Sequence, residues 1–200
     1  MDVLSDKARR YGSVNTCVNK GGKLYGYNTD ADGFWRSLLR AGTDVKNKDI
    51  LFIGAGGAAQ PIAVLCADMG AKSISIQNRT KDTANKLVDY IKTTSGFDAQ
   101  AGNNKGHYDI VINTTVLGMH PYENECPLED MSVIDRDTFV CDLIYNPEKT
   151  LFLQRAEQKE AKVLNGLGML IYQAMLSYEL FTGVKLDDTM FDDILSDLKK

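Results

Sequence analysis

The stretch Ile50-Leu-Phe-Ile-Gly-Ala-Gly-Gly-Ala-Ala-Gln60 constrains the fold of this chain more than any other, because an apolar run ends in a glycine-rich turn that opens a second apolar segment. Read as strand, turn and helix, Gly54, Gly56 and Ala59 fit the pattern G-x-G-x-x-[G/A]. The first glycine permits the tight turn, the second lets a pyrophosphate approach the backbone, and the third small residue lets helix pack on strand. Amide N–H groups and the positive end of the helix dipole then face the phosphates. Glycines also make ordinary strand-to-helix turns; the strand before and the helix after make this a dinucleotide-binding signature.

Gly70 is placed to close that helix, and 72–77 reads as a second strand in which Ile74 and Ile76 alternate with small polar residues. A helix is expected over 80–94. The compact apolar runs 108–113, 139–144 and 161–164 are expected as buried parallel strands. This alternation describes an α/β chain with a Rossmann-like, doubly wound parallel sheet, which binds ligands at the carboxyl ends of its strands. Residues 14–19 and 23–28 flank Lys20-Gly21-Gly22 and read as a β-hairpin outside the alternation. At the other end Leu167, Leu170, Ile171, Ala174, Met175, Tyr178 and Phe181 follow helical spacing, with Gly183 placed to stop the helix. A second helical pattern runs through Phe191, Ile194, Leu195 and Leu198 toward Lys199 and Lys200, the charge order the dipole prefers. The expected division is a hairpin segment at 1–30, a nucleotide-binding domain at 31–165, and C-terminal helices at 166–200.

Composition limits the function classes. With 44% hydrophobic and 25% charged residues and a net charge of -4, the chain is globular and carries no nucleic-acid footprint. The apolar segment 163–181 contains Asn165, Gln173 and Glu179, so no membrane span is expected. The N-terminus does not read as a secretory signal, and a cytoplasmic location is expected. Cys17, Cys66, Cys126 and Cys141 form no C-x-x-C pair and His107 and His120 are the two histidines, so no metal site is expected.

The ribose partner of a dinucleotide belongs about 20 residues after the glycine turn. There the chain has Asn78-Arg79-Thr80, and a cation with hydrogen-bond donors suits the 2′-phosphate of NADP. Asp82 keeps NAD open, and Arg79 can equally be a solvated charge beside a Thr80 helix cap. Thr29 and Asp32 fit the capping pattern S/T-x-x-D/E, which by itself explains Asn28-Thr29-Asp30. Asn113-Thr114-Thr115 either lines a cofactor groove or starts a loop. Tyr145 either donates to a ligand or caps the sheet, and Gln173 faces either solvent or a polar cleft. Met169 and Met175 read as packing residues.

Together these stretches closely resemble the shikimate dehydrogenase family, including its quinate/shikimate branch. The matching segments are Gly12-Ser-Val-Asn-Thr16, Gly26-Tyr-Asn-Thr-Asp30, Gly54-Ala-Gly-Gly-Ala58, Asn78-Arg-Thr80, Tyr108-Asp-Ile-Val-Ile-Asn-Thr-Thr115, Leu117-Gly-Met-His-Pro121, Asp142, Tyr145-Asn-Pro147, and Asn165-Gly-Leu-Gly-Met-Leu170 followed by Gln173. The resemblance implies reversible NADP-linked reduction of 3-dehydroshikimate to shikimate, with hydride from the nicotinamide and a proton donor positioned by the protein. It implies that Asp30 is half of a catalytic Lys-Asp pair and that Asn15, Asp30, Tyr145 and Gln173 contact or border the substrate. It also implies that Gly54, Ala55, Gly56, Gly57 and Ala58 hold the pyrophosphate, with Asn78, Arg79 and Thr80 around the adenosine phosphate. Asn113, Thr114 and Thr115 would line the cofactor groove, and Gly166 and Met169 would lie near the nicotinamide. Val116 and Thr83 depart conservatively from the family pattern.

The family's N-terminal substrate domain supplies the lysine and a serine-rich carboxylate site, and Lys7, Lys20 and Lys23 do not match that motif. From this resemblance, residues 1–30 are expected as a remnant of the substrate domain and the chain as a fragment with little activity alone. Self-association is expected through a surface including Leu4, Tyr11, Val14, Phe191 and Leu195. The competing readings are a non-catalytic NADP-binding module and a quinate enzyme using NAD or NADP.

Overall fold

A computed structural model of the protein describes residues 1–103 and 105–198. Two compact units divide the chain: Met1–Gly42 with the segment from Gly168 onward, and Thr43–Leu167.

In the first unit β1 (Val3–Leu4) precedes α1 (Asp6–Tyr11), a short helix whose Ser5 cap accepts the Ala8 N–H at 3.2 Å and which ends at Gly12 with φ +61°. Strands β2 (Thr16–Lys20) and β3 (Lys23–Tyr27) form the expected hairpin, and β1 joins β3 in parallel to give the order β1-β3-β2. Gly21 and Gly22 have φ of +60° and +84°, the left-handed pair a two-residue turn needs to match strand twist. Helix α2 (Asp30–Arg40) follows, burying Ala31, Phe34 and Leu38.

The second unit is the Rossmann-like sheet. It comprises β4 (Asp49–Ile53), α3 (Ala59–Asp68), β5 (Ser73–Gln77), α4 (Lys81–Ser95), β6 (Gln100–Ala101), β7 (Ile110–Asn113), β8 (Phe139–Asp142), α5 (Leu151–Glu157) and β9 (Lys162–Leu164). All six strands are parallel, in the order β6-β5-β4-β7-β8-β9. Ile50, Leu51 and Phe52 of β4 are fully buried, which is why the strand reads as a continuous apolar run rather than an alternating one. Leu51 and Ile53 pack with Tyr108, Val111, Val140 and Phe152 on one face. The chain order reverses between β4 and β7, so the crevice for a ligand opens beyond their carboxyl ends.

Helices α6 (Leu167–Thr182) and α7 (Thr189–Leu198) return to the first unit, and Gly183 ends α6 with φ +76° as expected. Tyr172 of α6 stacks on Phe191 of α7 with ring centroids 4.5 Å apart. Lys199 and Lys200, expected at the end of α7, lie outside the described residues. No helix among the described residues is long and apolar enough to cross a membrane.

Three local expectations are corrected. The Thr29 side chain does not cap α2, because its hydroxyl is engaged by Asn15 and Ser177, and Asp32 instead pairs with Lys7. Thr80 makes no side-chain cap on α4. Tyr11 and Phe191 do not belong to the expected apolar surface, being buried within the first unit, whereas Leu4, Val14 and Leu195 are half-buried.

Candidate active site

The turn after β4 owes its shape to Gly54. Its φ is +104°, its N–H donates to the Gln77 carbonyl at 2.8 Å, and a Cβ there would stand 2.5 Å from Thr114 Oγ1. Thr114 closes the other side, its N–H and its hydroxyl both donating to the Ile53 carbonyl at 2.8 and 2.9 Å. Gly56 and Gly57 are different: a Cβ on either would meet no atom within 4 Å. They leave bare backbone facing open space, a cradle that a side chain would fill. Helix α3 starts behind them with no side-chain cap; its Ala59 and Gln60 N–H groups both donate to the Gly56 carbonyl, at 3.1 and 3.3 Å, so what faces an anion is the positive end of the dipole and the bare backbone of the turn. Ala59 is fully buried, as the packing position of the motif requires.

A cavity of 790 Å³ opens beside this turn. Gly54, Ala55 and Gly56 line it after β4, Asn78 and Arg79 after β5, and Thr114 and Thr115 after β7. Gly57, Ala58 and Thr80 adjoin these segments without lining it. Asn78 is tied back by donating to the Thr80 carbonyl at 2.9 Å. Arg79 is exposed and is the one cation among the described lining residues. A planar fork of donors beside bare glycine backbone suits a phosphorylated ribose and a pyrophosphate, so the residues present fit a dinucleotide. Sequence reasoning missed Gln77, the last residue of β5, and also Asn103 and the far wall, Cys126 to Asp130, which belong to segments with no periodic pattern.

Asn113 is fully buried and works behind this wall. Its Oδ1 accepts from the Thr115 N–H and hydroxyl at 3.0 and 2.8 Å, and its Nδ2 donates to Asp142 Oδ1 at 2.9 Å. Asp142 also accepts from Ile144 N–H at 3.1 Å and from the Thr150 hydroxyl at 2.6 Å. Burial pushes its carboxyl up to about 6, the hydrogen bonds from Thr150, Ile144 and Asn113 offsetting part of that rise.

In the first unit, Asp30 begins α2 half-buried. Burial raises its carboxyl above the usual range, and a 2.7 Å hydrogen bond from Asn15 Nδ2 offsets part of the rise. Asn15 is held in turn by Thr29, whose N–H donates to Oδ1 at 2.9 Å and whose hydroxyl accepts from Nδ2 at 2.8 Å. Gln173 comes close to the start of α2 because Gly33 has no side chain: a Cβ on Gly33 would lie 2.9 Å from the Gln173 nitrogen and 3.0 Å from the Met169 carbonyl. The Gln173 amide donates to the Leu170 carbonyl at 3.0 Å. Lys7 does not serve Asp30; its ammonium binds both Asp32 oxygens, at 2.7 and 2.6 Å. Lys20 lies over the rings of Tyr25 and Tyr27.

Tyr145 follows β8 in the second unit and is 49% exposed, open to a ligand rather than sealing the sheet. Gly166 donates to the Ile144 carbonyl at 3.0 Å, and a Cβ on it would fall 2.0 Å from the Leu143 carbonyl oxygen. Met169 is half-buried in α6.

The strand order, the bare glycine turn at the switch point and the cavity beside it define a Rossmann-like dinucleotide-binding protein. Residues 37–143 match the family described as shikimate / quinate 5-dehydrogenase, and residues 166–188 match the shikimate 5′-dehydrogenase C-terminal domain. A shikimate dehydrogenase (NADP(+)) of Bacillus mycoides is 43% identical over 188 residues, covering 92% of this chain and 68% of the relative. Shikimate 5-dehydrogenase from Listeria monocytogenes, solved with shikimate and NAD, is 36% identical with a TM-score of 0.86, over 98% of this chain and 72% of that one. A shikimate dehydrogenase solved with NADP+ is 35% identical with a TM-score of 0.88, over 100% of this chain and 71% of that one. The chain belongs to the shikimate dehydrogenase family of oxidoreductases.

Proposed function

We propose that the chain takes part in NADP-linked interconversion of 3-dehydroshikimate and shikimate. The observation that carries the cofactor half of this reading is the position of Arg79, the one cation among the described lining residues, just after β5 in a cavity that begins at the bare glycine turn. The bound cofactor supplies the hydride. Gly54 to Ala58 take the pyrophosphate and Asn78, Arg79 and Thr80 the adenosine phosphate, while Thr114 and Thr115 border the groove. Asn113 holds Thr115. Gly166 and Met169 are assigned to the nicotinamide end. The hairpin and the C-terminal helices form the substrate-binding part, Asn15 and Gln173 contacting or bordering the hydroxylated carboxylate, and Tyr145, after β8, is assigned to the same substrate. Asp30, kept half-buried and hydrogen-bonded by Asn15, holds a proton near the reacting oxygen as one member of the family's Lys-Asp pair.

Calorimetric titration with NADP and NAD tests the assignment. NADP is expected to bind at least about tenfold more tightly, and Arg79→Gln to remove that preference, since a charge-assisted hydrogen bond to the 2′-phosphate contributes roughly 1.5–3 kcal/mol. Equal affinity for the two cofactors sinks the role of Arg79. The matched family description also names quinate, and comparing oxidation rates of shikimate and quinate separates the two substrates.

A further inference from the structure

Asn15 has two side-chain amide protons, and both are committed, one to Thr29 Oγ1 and one to Asp30 Oδ1. Its Oδ1 accepts from the Thr29 N–H and from the Thr16 hydroxyl at 3.1 Å. Which end of this amide faces Asp30 decides whether the carboxyl meets a donor or another oxygen. Behind the amide, Ser177 Oγ on α6 lies 2.8 Å from Thr16 Oγ1 and 3.1 Å from Thr29 Oγ1, and its hydroxyl reaches the Gln173 carbonyl at 2.9 Å. Thr16 and Thr29 are both buried, so bulk water has little access to them.

Each hydroxyl has one proton, so Thr16 gives its own either to Asn15 Oδ1 or to Ser177 Oγ and not to both. Ser177 gives its proton to the Gln173 carbonyl, so its oxygen can only accept. With the Ser177 proton committed, the Thr29–Ser177 contact carries the Thr29 proton, which leaves the Thr29 lone pairs to accept from Asn15. We infer that Ser177 is a positioning residue for Asp30: by taking the Thr29 proton it makes Thr29 an acceptor for Asn15 and holds the amide with Nδ2 against the carboxyl. Without that oxygen the Thr29 O–H loses its acceptor and turns toward Asn15, where it competes for Oδ1 and loosens the amide. The same serine thus ties the Asp30 environment to α6, one helical turn from Gln173. This inference rests on the reading of Asp30 as part of the reaction centre.

Side-chain amide NMR of Asn15 in the full chain tests it directly. The parent is expected to show two well-separated, slowly exchanging amide protons. In Ser177→Ala and in Thr29→Val exchange is expected to accelerate at least about tenfold, whereas Thr29→Ser, which keeps the hydroxyl, stays slow. In an NADPH-linked assay with 3-dehydroshikimate, kcat of Ser177→Ala is expected to fall about tenfold with KM for NADPH unchanged. Unchanged Asn15 exchange in both Ser177→Ala and Thr29→Val, with parent-like circular dichroism, overturns the inference. Full activity in Asp30→Asn removes the catalytic reading of Asp30 instead, and leaves the exchange result standing as a purely structural one.

Discussion

Asp142 shows how a single buried group sets a pH dependence. An unfolded aspartate titrates near about 3.9, whereas Asp142 in the fold is raised to about 6. The native state therefore holds the proton more tightly than the unfolded chain. The stability this group contributes is complete below about pH 4 and is lost as pH rises through about 6, a change of about 3 kcal/mol. Urea midpoints measured from pH 4 to 7 should show this loss in the parent and not in Asp142→Asn; parallel curves would argue that the carboxyl is already ionised in the fold. Gly166 gives a second, purely steric case. Its Cβ would collide with the Leu143 carbonyl, a backbone atom with little freedom to yield. Gly166→Ala is expected to cost about 3 kcal/mol or more, read as a lowered thermal midpoint.

At the level of elements, α5 depends on one side chain. Thr150 accepts the Leu153 N–H at 3.4 Å and donates to Asp142 at 2.6 Å, so it begins the helix and satisfies the buried carboxyl at once. Thr150→Val should destabilise by roughly 2–3 kcal/mol in chemical denaturation, and Thr150→Ser by far less. The same element shows what sequence patterning conveys. The long helices α4 and α6 were legible because burial imposes a period on many residues, and β4 because it is a continuous apolar run that ends in a glycine turn. The short ones, β1, α1, β6 and α5, span too few residues to show a period. Their signals were chemical: Ser5 before Asp6 and Thr150 before Leu151 each carry a cap. Thr29 misleads by the same rule in reverse, since its hydroxyl suits a cap but finds Asn15 and Ser177, partners remote in sequence, instead.

For the whole molecule, the two compact units predict an uneven response to cofactor. Hydrogen exchange of the chain with saturating NADP should show protection concentrated where β4, β5 and β7 end, around Gly54, Asn78 and Thr114, as expected for binding that stabilises the state it occupies. Protection spread evenly over the hairpin and α7 would contradict a cofactor site centred on that cavity. The near wall of the cavity was legible because glycine spacing and the strand-end arginine are local. Its far wall was not, because Cys126 to Asp130 reach it by a path that only the tertiary fold specifies.

Gly33 has a consequence that reaches beyond packing. The gap between α2 and α6 is set there by one absent methyl group, with the Gln173 backbone and the Met169 carbonyl filling the space. Any larger residue must move a whole helix, and with it Gln173, while leaving both Asp30 and Gln173 chemically intact. On the proposed assignment of Asp30 and Gln173, position 33 is therefore a dial through which inherited variation can retune substrate fit without altering a reacting group.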